Sequence, residues 1–165
     1  MQHQVGTGLR PSAQRFLMPT QQVVRILLAQ DGRRLVLVPG AAAEARADAL
    51  PAQHGLRRAA FVQCHPGSRW LFKCWPAAST AALLDRIAAD HAVVVTGAPD
   101  ERERALVAEV LAAMAPATRS RVVDLGGTLT LSELAALTAR ARAFVGVDSA
   151  PMHIAAAVGT PVVVL

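Results

Sequence analysis

At 165 residues, with 53% hydrophobic and 4% aromatic content, the chain has the length and composition of one α/β domain with its own core, and matches neither a disordered chain nor a disulfide scaffold. No apolar stretch reaches about 18 residues without a charge, and the N-terminal stretch lacks a secretory apolar segment, so a cytoplasmic location is expected. Net charge is +5 from 17 Lys and Arg, without aromatics interleaved among them. That pattern argues against a nucleic-acid partner and leaves only a mild attraction to anionic lipid.

Residues 1–22 are polar and aperiodic and are expected to form an irregular lead-in. Val23–Leu28 and Arg34–Val38 predict short strands around an Asp31-Gly32 turn, and Ala41–Leu50 a helix after the Pro39-Gly40 break. From Ala60 the chain alternates regularly. Strands are predicted at Ala60–Cys64, Ala92–Thr96, Val122–Leu125, Ala143–Val147 and Val162–Leu165. Helices are predicted at Ala77–Asp90, Glu101–Met114, from Thr130 to Ala141, and after Asp148-Ser149 with Pro151 in the first turn. Thr130 with Glu133 reads as a capping box.

Five strands joined by four helical crossovers predict a doubly wound parallel sheet, a Rossmann-like α/β fold. Ligands of such sheets bind outside the carboxyl ends of the strands. That rule collects four polar loops on one rim: His65–Lys73, Thr96–Glu101, Gly126–Thr130 and Asp148–His153.

Each loop has a plain structural reading beside a functional one. Lys73, the only lysine, is either a surface charge or a point contact to a diphosphate oxygen, with Gly67 allowing close approach and Ser68 adding a hydroxyl. Asp100 and Glu101 open a helix, where carboxylates cap or, for Glu101, meet a ribose hydroxyl. Asp148, Ser149 and His153 converge on a helix N-terminus suited to an anion. Cys64 and Cys74 lie ten positions apart with no metal-ligand spacing, so they are expected to be reduced thiols and no metal site is expected. The GxGxxG, GxxxxGK[ST] and GxSxG patterns are all missing.

HPGSRWLFKCWP, VVVTGAPDERE and LGGTLTLSELAALTARARAFVGVDSAPMHIAAAVGTPVVVL, in that order, resemble the C-terminal half of the bacterial heptosyltransferases of glycosyltransferase family 9. The RWLFKCWP string is most similar to the branch adding the third, side-branch heptose of the lipopolysaccharide inner core. The resemblance implies a GT-B enzyme whose C-terminal Rossmann-like domain, here residues 60–165, holds ADP-L-glycero-D-manno-heptose. It needs no cofactor beyond this donor. Carried over by position, Ser68 and Lys73 meet the diphosphate, Glu101 the ribose and Leu129 the adenine, while Asp148, Ser149, Ala150 and His153 surround diphosphate and heptose. A lipopolysaccharide core acceptor is implied, as is a peripheral contact with the inner face of the inner membrane.

The resemblance also implies that the catalytic base lies in an N-terminal acceptor domain. Residues 23–59 are expected to be a remnant of the inter-domain region, and the chain to be truncated at its C-terminus. Ala150, where the family often has Gly, is expected to crowd the donor if its φ is positive. A catalytically silent nucleotide-binding module and a GT-B enzyme for another nucleotide sugar are the alternatives.

Overall fold

The computed structural model describes residues 25–28 and 35–165. Two short strands, β1 (Arg25–Leu28) and β2 (Leu35–Val38), pair antiparallel with Arg25 opposite Val38. The Asp31-Gly32 turn and the lead-in lie outside the described residues. Helix α1 (Ala41–Gln53) follows and runs past the expected end at Leu50. Pro51 lies buried in its last turn, and its carbonyl accepts from the His54 and Leu56 amides as the helix closes.

The main sheet holds β3 (Phe61–His65), β4 (Ala92–Gly97), β5 (Val122–Gly126), β6 (Ala143–Gly146) and β7 (Val162–Val164). All pairings are parallel, in the order β5-β4-β3-β6-β7. The crossovers are α2 (Ala77–Asp90), α3 (Glu101–Ala113) with the short α4 (Pro116–Arg119), α5 (Leu131–Thr138) and α6 (Ala150–Ala157). The doubly wound α/β expectation therefore holds. β3 ends one residue later than expected because His65 still pairs with Gly146 of β6. α5 ends at Thr138 rather than Ala141, where the Thr138 hydroxyl turns back to the Leu134 carbonyl at 2.7 Å.

Strand alternation divides the core between the two faces. Val93 and Val95 pack with Leu84, Ala88, Val107 and Val110 beneath α2 and α3. Val94 and Phe61 face the other way, against Ala43 and Ala47 of α1 and Leu137 of α5. Central strands buried on both faces explain why β3 and β4 read as continuous apolar runs. The α1 helix is tied to this body by Arg140, whose Nε and Nη2 donate to the Asp48 carboxylate at 2.6 and 2.8 Å. Arg140 Nη1 also donates to the Ala136 carbonyl. Segment 41–53 is thus packed directly on the main sheet and α5.

Candidate functional site

A cleft of about 970 Å³ opens at the carboxyl ends of β3, β4, β5 and β6, lined from all four polar loops. Its position follows from the strand order. β3 to β5 are laid down in one direction, whereas β6 and β7 are added on the far side of β3, so crossovers diverge at β3 and β6 and leave a crevice between them.

At that crevice Lys73 reaches from a single 3-10 turn (Leu71–Lys73) to Asp148, Nζ to Oδ2 at 2.8 Å. Lys73 Nζ also approaches the Asp148 carbonyl at 3.4 Å. On the other side of the same carboxylate, His153 Nε2 lies 3.5 Å from Oδ1. The Lys73 hydrogen bond and charge, with His153 beyond, hold the Asp148 carboxyl below its ordinary range. Asp148 therefore stays ionised at neutral pH and holds the Lys73 ammonium and the His153 imidazole at one spot.

Ser149 is the N-cap of α6, but its hydroxyl donates to the Val147 carbonyl instead of capping. The Met152 and His153 amides bond to the Ser149 carbonyl, and Pro151 has no N–H. The Ser149 and Ala150 amides find no partner among the described residues, and both residues line the cleft at the positive end of the helix. Ala150 is the first helical residue, and Ala59 is the one non-glycine with positive φ among the described residues. Its methyl group is therefore free of the backbone strain that a positive φ would have imposed.

Ser68, Lys73, Leu129, Asp148, Ser149, Ala150 and His153 all line the cleft. Glu101 does not. It is exposed in the first turn of α3, whose N-cap is Asp100, accepting from the Glu103 amide at 3.1 Å. The carboxylate that enters the cleft wall is Glu103, two residues further on. Glu103 Oε2 accepts from the Ala98 amide at 2.8 Å and lies 3.2 Å from His65 Nε2. Burial would raise the Glu103 pKa, but the His65 and Ala98 contacts outweigh it and hold the carboxyl below its ordinary value.

His65 continues inward. Its Nδ1 is 3.0 Å from the Thr96 hydroxyl, which also accepts from Gln63 Nε2 at 3.3 Å. Gln63, Thr96 and His65 are buried, and His65 brings this polar chain up to the floor of the cleft. Neither His65 nor Glu103 stood out in the sequence. The D-x-x-E spacing of Asp100 and Glu103 was the available signal, since a carboxylate at the third helical position turns back toward the preceding loop. Gly67 is required by this floor: a Cβ there would lie 2.5 Å from Glu103 Oε2. Gly127 turns the β5 loop with φ +71 while its amide donates to the Gly97 carbonyl.

The cleft thus brings Lys73, His153 and the N-terminus of α6 together, with His65 in its floor and Leu129, Leu131 and Leu134 at the β5 end. That arrangement suits an anion flanked by an apolar group.

The sequence model of Glycosyltransferase family 9 (heptosyltransferase) matches residues 21–165. Lipopolysaccharide heptosyltransferase 3 of Escherichia coli is 42% identical over 106 residues, covering 64% of this chain and 30% of that protein. Among solved structures, a glycosyl transferase family 9 protein from Veillonella parvula DSM 2008 aligns with a TM-score of 0.69 at 24% identity, over 78% of this chain and 36% of its own. The E. coli ADP-heptose lps heptosyltransferase II aligns with a TM-score of 0.60 at 26% identity, over 77% of this chain and 38% of its own. The chain spans about a third of the length of the relatives it matches. With the family model covering the whole sheet and all four cleft loops, the chain belongs to glycosyltransferase family 9, the heptosyltransferases.

Proposed function

We propose that this chain is the donor-binding part of an ADP-heptose:lipopolysaccharide heptosyltransferase, which transfers heptose to the inner core. The observation that carries the reading is the Lys73–Asp148–His153 cluster set against the open α6 N-terminus. A nucleoside diphosphate leaving group develops negative charge as the glycosidic bond breaks. Lys73, the Ser149 and Ala150 amides and the helix dipole would stabilise that charge with protein groups alone. Leu129 and the neighbouring leucines would take the adenine. Glu103 stands where a ribose or sugar hydroxyl could donate to it, whereas Glu101 would have to reach the ligand from outside the cleft.

Attack by an acceptor hydroxyl needs a base. Glu103 is engaged by His65 and Ala98, and Asp148 by Lys73, and both carboxyls are held below their ordinary values, which makes them weak bases. The family resemblance implies a base in an N-terminal acceptor domain, and it is proposed to lie there, along with most contacts to the lipopolysaccharide core. Among the described residues no helix is long and apolar enough to cross a membrane. A peripheral position at the cytoplasmic face of the inner membrane is part of the same proposal. Calorimetry tests the donor reading: ADP and ADP-heptose should bind more tightly than UDP or GDP. Equal or tighter binding of UDP would overturn the adenine assignment.

A further inference from the structure

Trp70 lines the cleft three residues before Lys73, yet nothing in the donor reading above uses it. The side chain is 58% exposed. Phe72 stands beside it, ring centroids 6.2 Å apart and planes tilted by 40°, so the indole is propped from one side. A large ring at the mouth of a polar cleft is an open apolar surface that a ligand can cover.

Strand order limits which part of a ligand reaches it. Leu129 follows β5, whereas Trp70 follows β3, two strands away, and β3 adjoins β6 with Asp148 at its end. At about 4.8 Å per strand this separation is roughly 10 Å. With the adenine at the β5 end, Trp70 stands in the same loop as Lys73, at the phosphate and sugar end of the ligand. A pyranose suits it: one face is made of C–H groups whose hydrogens complement the negative face of an indole.

We infer that Trp70, backed by Phe72, is a stacking platform for a pyranose ring at the sugar end of the cleft and a determinant of sugar specificity. The inference rests on the reading that a nucleoside diphosphate sugar occupies the cleft. The ring belongs either to the donor or to the acceptor, and the two sources are separable by experiment.

The chain has two tryptophans, so Trp75→Phe leaves Trp70 as the sole emitter. That variant is titrated with ADP, with ADP-heptose, and with a deacylated heptose-bearing core oligosaccharide in the presence of ADP. A sugar-bearing ligand should shift or quench the emission beyond the ADP response, and the ligand that does so identifies the source. Trp70→Ala should raise the Kd for that ligand about fivefold. Trp70→Phe should recover part of the loss, and the Kd for ADP should stay within about twofold. Equal loss for ADP and the sugar-bearing ligands, or no loss for any of them, would overturn the platform while leaving ADP binding in place. Failure of the unsubstituted chain to bind ADP would instead overturn the donor reading, and the platform with it.

Discussion

Lys73 and Asp148, 75 positions apart in sequence, meet at 2.8 Å where the loops after β3 and β6 adjoin. Their contact spans the point at which the sheet changes its direction of growth. The ion pair is open to solvent on both sides, so it contributes little to stability. Its effect is positional: it holds the ammonium beside the open amides of α6 before any ligand arrives.

Lys73→Ala should therefore cost diphosphate affinity rather than fold. A charge-assisted contact contributes about 1.5–3 kcal/mol. ADP binding should weaken by that amount in calorimetry, while adenosine, which has no phosphate, should bind as before. Equal losses for both ligands would make Lys73 a structural residue.

The His65–Glu103 contact makes stability dependent on acid. The Glu103 carboxyl titrates below its ordinary value of 4.5 in the folded chain. A depressed carboxyl stabilises the fold above the unfolded-state value, and this contribution is lost as pH falls through the folded one. Urea denaturation at pH 7, 5, 4 and 3 should show a steeper loss below pH 5 for the natural chain than for Glu103→Gln. Parallel curves would show that the contact carries no linkage.

Gly67→Ala should displace the Glu103 carboxylate, because the new Cβ would sit 2.5 Å from Oε2 and 2.7 Å from Cδ. Overpacking of this kind costs about 1–3 kcal/mol. The cost should shrink in a Glu103→Ala background, where the obstructing atoms are gone. A double-mutant cycle by chemical denaturation measures the coupling, and strict additivity would place the cost elsewhere.

The two thiols should differ in reactivity. Cys64 is fully buried in β3, and burial pushes its pKa up to about 12. Burial also raises that of Cys74, but this residue is partly exposed beside Trp75. An aromatic disulfide reagent at pH 8 should modify Cys74 in the native chain and reach Cys64 only after urea is added. Rapid loss of both thiols without denaturant would contradict the packing of β3.

Much of this fold was legible in local sequence. The apolar runs of β3 and β4, the Thr130–Glu133 capping box and the Asp148-Ser149-x-Pro151 helix start are all short-range signals, and the structure has each of them. Alternation of strand and helix was enough to predict a parallel sheet, and with it the rim on which the polar loops gather.

Contacts between side chains distant in sequence were decided only by the tertiary structure. Glu101 and Glu103 lie in the same acidic turn, and only the D-x-x-E spacing from Asp100 sets Glu103 apart locally; what that carboxylate meets is not written in the turn. Helical geometry sends one outward and the other onto His65, which comes from a strand 38 positions earlier. The buried chain from Gln63 through Thr96 to His65 needs the register of β3 against β4. Local propensity and periodicity specify elements because they act within a few residues. The floor of the cleft depends on parallel strands joined by long crossovers, and those neighbours exist only once the sheet has formed.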